Sequence, residues 1–426
     1  MDADSYPDSS RTGETAAEAS GSVAERSGGN TTGAPLTQAG RPRELPAWAN
    51  GVIAGLCLYL FLSAINIMGA GLKTLGTSTD WLENLLAHAH NPFVALMGSV
   101  LVTVMVQSSS FTTSLIITLV AAGQMNVGDA IFAVMGANIG TSVTNTIVSF
   151  GNLRIRRQFR RAFRAAIVHD IFNWLTVAVL LPLEWITGAI ARDGCGVLAR
   201  FSTWTSQLLG LQEIERPNSP LKVITRPAVE AVRWLAEQLT DGETGRGVLM
   251  AAAGLLLLCL ALVFMVKNLK GALLRHIEGL FRRVFFRNDG AAYAVGALTT
   301  VLVQSSSVTT SLIVPLAGAG AVKLKRVYPY TLGANLGTTV TGVIAASANP
   351  VIGAVTVAIA HVTFNLAGTV IWYPLRRVPI GIARWYGRLA AKSRFYALLF
   401  LFGAFIIVPT VGLVVSEILL KLFSGS

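Results

Sequence analysis

The stretch "VQSSSFTTSLI", residues 106–116, decides how this chain is read, because it sets a glutamine, three serines and three further hydroxyl residues inside an otherwise apolar segment. Residues 303–313, "VQSSSVTTSLI", repeat it with one change. Gln107 and Gln304 are 197 positions apart, and the same shift pairs Gly123 with Gly320 and "GANIGTSVT" (136–144) with "GANLGTTVT" (333–341). "AIVHDIFN" (166–173) pairs with "AIAHVTFN" (358–365) at a shift of 192. Self-similarity over this length marks two homologous halves, 50–189 and 247–375.

The surrounding composition is that of a membrane protein. Of 426 residues, 53% are hydrophobic and 13% charged, with a mean hydropathy of +0.58. Apolar runs near the roughly 20 residues that a helix needs to cross a bilayer predict spans at 51–72, 129–149, 165–189, 247–268, 327–347, 352–373 and 396–420. The net charge of +12 is distributed in short segments between these runs, a pattern that speaks for a bilayer and against nucleic acid. Cys57, Cys195 and Cys259 lack metal-ligand or disulfide spacing. Residues 1–44 are rich in Ser, Gly, Ala, Thr and acids, predict a disordered tail, and lack the apolar core of a cleavable signal.

Lys and Arg are retained on the cytoplasmic side. The segments holding Arg154–Arg164, Lys267–Arg287 and Arg376–Arg394 are therefore expected inside, with the N terminus, and 190–246 is expected as an external loop. The resulting organisation is a tail at 1–44, a first repeat at 45–189, the loop at 190–246, a second repeat at 247–375, and a basic segment with a final transmembrane helix at 376–426. Parity then requires 93–123 and 291–320 to enter and leave on one side, each as a hairpin of two short helices broken at its Gln-Ser-Ser-Ser turn. Three crossings between the turns make the repeats inverted, an architecture shared by many secondary transporters. The fold class expected is thus an all-α polytopic membrane protein of two inverted repeats and about seven crossings.

A helix that starts at membrane depth presents unpaired N–H groups and partial positive charge. Two such starts, dressed with Ser and Thr donors, suit a tetrahedral oxyanion, and phosphate fits. The spans offer almost no Lys or Arg to balance it. Neutral oxygens of Gln107, Gln304, Asn138, Asn335, Thr141, Thr144, Thr338 and Thr341 suit a hard cation instead, so co-bound sodium would supply the charge. Isolated Ser, Thr or Gly residues in membrane helices usually serve close packing, but repetition in register favours a site. Gly136, Gly140, Gly333 and Gly337 fit either packing or local unwinding. His169, Asp170 and His361 are intramembrane ionisable residues, read here as hydrogen-bonding groups rather than sensors. Phosphate-loop, zinc-protease, paired-carboxylate and nucleophile patterns are all missing, which argues against an enzyme and against any cofactor.

The paired "VQSSS" turns, "MGANIGTSVTNTIV" (135–148), "FRRAF" (159–163), "VHDIFNWL" (168–175), "LKVITRP" (221–227), "YPYTLGANLGTT" (328–339) and "WYPL" (372–375) together resemble the type II sodium-dependent phosphate cotransporter family in its bacterial form. The resemblance covers 50–420 and implies sodium-coupled symport of inorganic phosphate across the inner or plasma membrane by alternating access. It implies phosphate contacts from Gln107, Ser108, Ser109, Ser110, Gln304, Ser305, Ser306 and Ser307. The expected sodium set is Thr113, Asn138, Thr141, Thr144, Thr310, Asn335, Thr338 and Thr341. A sodium-independent exporter or uniporter, and a phosphate-binding sensor without flux, are the competing expectations. Electrogenic animal members carry an acid where this chain has Ile155, so a third sodium ion is not carried over. The short external loop with Cys195 alone, and an end at Ser426 before the final span and cysteine-rich tail of those relatives, are further departures.

Overall fold

The computed structural model describes residues 47–78, 91–191, 194–210, 220–280 and 287–423, and these contain helices and connections only. The first half holds α1 (Ala47–Ser78), α2 (Pro92–Val106), α3 (Ser109–Ala121), α4 (Val127–Gly140), α5 (Val143–Ser149) and α6 (Arg156–Ala191). Between the halves lie α7 (Val197–Leu208) and α8 (Pro220–Leu239). The second half holds α9 (Glu243–Leu280), α10 (Asp289–Val303), α11 (Ser306–Ala319), α12 (Leu324–Ala348) and α13 (Ile352–Trp372). The chain continues through α14 (Arg377–Lys392), α15 (Arg394–Phe402), a π-helical turn at Gly403–Ile407 and α16 (Val408–Phe423).

Both expected pairs of short helices form around their Gln-Ser-Ser-Ser breaks, and local chemistry explains their starts and stops. Asn91 caps α2 by accepting from Phe93 N, with Pro92 in the first turn, where its missing N–H costs nothing. Asn288, 197 positions on, caps α10 by accepting from Ala291 N. Each hairpin breaks at its glutamine, the only non-glycine residues with positive φ among those described, at 59° for Gln107 and 56° for Gln304. Such a left-handed residue ends a helix by turning the chain out of the α path.

Among the described residues, six helical stretches are long and apolar enough to cross a membrane: 52–78, 127–152, 156–191, 243–266, 352–372 and 394–418. The seventh expected span, 327–347, is helical as α12 and, at about 37 Å, long enough. Thr331, Asn335, Thr338, Thr339 and Thr341 make it more polar than the six, and these side chains are buried in protein. Two further details depart from expectation. The 129–149 span is interrupted at Thr141 and Ser142 between α4 and α5. The 190–246 stretch carries α7 and α8 rather than plain loop. The 1–44 tail, Arg282 and Arg283, and the side chains of Lys267, Lys270 and Arg275 lie outside the described residues.

Small residues let the helices approach as membrane packing requires. A Cβ on Gly140 would stand 2.6 Å from Thr103 Cβ, and one on Gly337 would stand 2.7 Å from Thr300 Cβ. Gly136 packs on the Leu96 carbonyl of α2 and Gly333 on the Tyr293 carbonyl of α10. All four glycines thus seat α4 on α2 and α12 on α10 in the same register. Packing accounts for them, and the unwinding falls at Thr141, just beyond Gly140.

The apolar core gathers in two main clusters. One joins α1, α2, α3, α4, α9 and α13, and the other joins α6, α10, α11, α12 and α14. The first pair of short helices, α2 and α3, packs in the first cluster, and the second pair, α10 and α11, in the second.

Candidate functional site

Each break is built the same way in both halves. The Gln107 side-chain amide donates to Val104 O at 2.6 Å and accepts from Thr144 Oγ1 at 2.7 Å. Gln304 donates to Val301 O at 2.6 Å and accepts from Thr341 Oγ1 at 2.8 Å. The glutamine therefore satisfies a carbonyl that the ending helix leaves open and ties the break to α5 in the first half and to α12 in the second. Ser108 and Ser305 are N-caps, accepting from Phe111 N at 3.2 Å and Val308 N at 3.3 Å. Ser109, Ser110, Ser306 and Ser307 occupy the first turns of α3 and α11, whose N–H groups have no partner within the helix.

The two breaks also touch each other. The Ser110 hydroxyl lies 3.4 Å from both Gln304 O and Thr341 Oγ1. Ser307 donates to Thr141 O at 2.9 Å, a carbonyl freed where α4 ends. Gln107, Ser108, Thr144, Ser305 and Ser307 line one cavity of about 450 Å³, closed on its apolar side by Phe111, Leu262 and Val263. None of the described residues lining it is charged.

The remaining expected residues sit one layer deeper. Thr113 and Thr310 donate to Ser109 O and Ser306 O, at 2.8 and 2.7 Å. Thr310 also donates to Asn145 Oδ1 at 3.0 Å. Thr141 and Thr338 donate to Ala137 O at 2.9 Å and Ala334 O at 3.1 Å, which leaves their lone pairs open to a cation. Asn138 and Asn335 face the histidine of the opposite half: His361 Nε2 stands 3.4 Å from Asn138 Oδ1, and His169 Nε2 pairs with Asn335 Oδ1. Asn173 links the two, donating to Asn138 O at 2.7 Å and accepting from Asn335 Nδ2 at 2.7 Å. His169, His361, Asn173 and Asp170 are fully buried.

The histidines are thus knots between the halves, which the sequence alone did not reveal, because pairing across halves leaves no trace in spacing. Asn145 was also missed. It lies 3.4 Å from His169 Nδ1, whereas its second-half counterpart is Gly342, which faces His361 Nδ1 without supplying a partner. Outside the spans, Asp289 binds Arg326 at 2.6 Å and also Arg376, and accepts from the Tyr373 hydroxyl at 3.2 Å. Burial and then the Asp289 carboxylate raise the Tyr373 phenol, while its hydrogen bond to Asp289 raises Arg376.

Comparison with known proteins identifies relatives by sequence. A family model described as Na+/Pi-cotransporter matches residues 60–180 and 255–407, which takes in both breaks. Sodium-dependent phosphate transport protein 2A of Rattus norvegicus is 35% identical over 419 residues, covering 83% of this chain and 65% of that relative. Sodium-dependent phosphate transport protein 2B of Homo sapiens is 31% identical over 435 residues, covering 83% of this chain and 63% of that relative. The chain spans a little under two thirds of the length of these relatives. No solved structure matches it. An all-helical membrane architecture, twin Gln-Ser-Ser-Ser breaks and a family match across both halves lead to one assignment: the chain belongs to the Na+/Pi-cotransporter family.

Proposed function

We infer that the chain is a secondary transporter that carries inorganic phosphate into the cell together with sodium, alternating access to one central site. One observation carries the reading: two breaks related by the same 197-residue shift line a single cavity and bond to each other across it. The first turns of α3 and α11 offer N–H groups and serine hydroxyls to a tetrahedral anion, through Ser108–Ser110 and Ser305–Ser307, with Gln107 and Gln304 shaping the turns. Because the described lining holds no cation, a phosphate there would be an uncompensated charge at membrane depth, which is costly.

Sodium ions at neutral oxygens remove that cost. The Thr141 carbonyl at the end of α4, the hydroxyls of Thr113, Thr144, Thr310, Thr338 and Thr341, and the Asn138 and Asn335 side chains would supply those oxygens. Empty and fully loaded states then carry little net buried charge and can reorient, while a partly loaded state is held back. Inverted repeats, with the N terminus and the arginine-rich connections in the cytoplasm, complete the reading.

Uptake of radiolabelled phosphate into proteoliposomes tests it, with sodium outside or replaced by choline and voltage clamped by potassium and valinomycin. Sodium-dependent accumulation is expected. Flux indifferent to sodium would discard the coupling, and phosphate binding without flux would turn the site into a sensor.

A further inference from the structure

A second cavity, of about 270 Å³, lies away from the breaks where α6, the end of α11, the start of α12 and α14 converge. Arg161, Arg164, Lys323 and Arg384 line it. Arg160 and Arg388 add their charge to the field felt by Arg164. No acid is among the described residues lining the cavity, and no Asp or Glu occurs in residues 150–169 or 306–400; the nearest acid along α6, Asp170, is fully buried and bonded to Thr146. Neighbouring like charges repel one another, and an anion between them relieves that repulsion.

Two of the arginines pack against glycines of neighbouring elements. The Arg164 side chain packs on the backbone of Gly387 in α14, and the Arg161 guanidinium packs on Gly320, whose positive φ of 88° ends α11. Arg164 Nε is buried and has no hydrogen-bond partner. A buried donor without a partner bears its full desolvation penalty, and a guanidinium fork matches phosphate oxygens well. Next to the cavity, α14 buries Ile380, Ala383 and Gly387 and exposes Trp385, the pattern of a helix lying at a membrane interface.

We propose that this cavity is a binding site for a phosphate-bearing anion, held by Arg161, Arg164, Lys323 and Arg384. Basic pockets between membrane helices suit anionic lipid heads, and free phosphate offers the same oxygens. The anion would clamp α6 of the first half to the α11–α12 turn of the second, so its occupancy would bias how the halves move against each other.

The full chain, stripped of lipid and placed in phosphatidylcholine nanodiscs, is titrated with phosphatidylglycerol or with inorganic phosphate while its thermal unfolding midpoint is followed. At least one anion is expected to raise the midpoint saturably. Arg164→Gln combined with Arg384→Gln should raise the half-saturating concentration about tenfold or more, whereas Arg157→Gln, exposed and outside the cavity, should leave it unchanged. A response to phosphatidylglycerol alone identifies a lipid head. A response to inorganic phosphate that persists in a Ser109→Ala, Ser306→Ala background identifies free phosphate at this site. If neither anion acts, or both act equally on the parent and the double variant, the site does not exist. Should that variant fail to insert, Arg161→Gln with Lys323→Gln addresses the same cavity. The readout is binding, so it stands or falls separately from sodium-coupled transport.

Discussion

The hydroxyl of Ser307, in the second half, donates to the backbone carbonyl of Thr141, in the first, at 2.9 Å. The bond joins the start of one helix to the broken end of another and places a freed carbonyl beside the cavity. Ser307→Ala should leave that carbonyl without its partner at a cost of about 1–3 kcal/mol and reduce phosphate uptake at least tenfold. Ser63→Ala is the control, since the Ser63 hydroxyl is buried on α1 without a partner and its loss should change little. Equal uptake by the two variants at equal insertion would remove Ser307 from the site.

Gln107 combines a left-handed backbone with a side chain bonded at both ends. Gln107→Ala loses the bonds and keeps the backbone strain, whereas Gln107→Gly loses the bonds but adopts positive φ freely. The glycine variant should therefore unfold later, by about 1 kcal/mol, while both transport poorly. A glycine variant that transports like the parent would show that the amide has no role beyond the turn.

Asn335 is shared by His169 and Asn173, both fully buried. Asn335→Ala strands an imidazole nitrogen and an amide oxygen, each costing about 1–3 kcal/mol, and should markedly lower the melting temperature. Asn145→Ala also deprives His169 of a neighbour, yet Thr310 keeps its bond to Ser306 O, so the milder shift is expected there. The opposite ranking in a thermal melt would contradict the network.

Glu184, deep in α6 and 1% exposed, accepts from Gly196 N at 3.1 Å, Leu198 N at 2.6 Å and Ala199 N at 3.0 Å, capping α7 from a distance. Glu184→Ala should cost about 1–2 kcal/mol and expose α7 to protease before the rest of the chain. Cleavage at the parent's rate would show that α7 is held by other contacts.

Asp289 gathers Arg326, Arg376 and Tyr373 at the start of α10. These groups are partly solvated, so Asp289→Asn should cost about 1 kcal/mol or less. The difference from the parent should shrink in high salt, as screening predicts, and a salt-independent difference would point to packing instead.

The twin breaks, the paired short helices and the family were legible in the sequence, because periodic apolar runs, turn residues and repetition are local or self-similar signals, whereas Gly136, Gly140, Gly333 and Gly337 fitted either packing or unwinding until their close contacts with facing helices decided for packing. The 327–347 run was read as a span from its length, yet α12 carries buried Asn and Thr side chains that make it more polar than the six apolar helices. What only the tertiary structure decided is which groups meet across the halves: Ser307 with Thr141, His169 with Asn335, Asn145 without a twin, and Arg161 and Arg164 with Arg384 around an acid-free cavity. Those pairings link positions more than 150 residues apart or depend on the helix that happens to pack alongside. A repeat announces that two elements are alike, but the face each turns toward the other is settled only when buried polar groups must find partners.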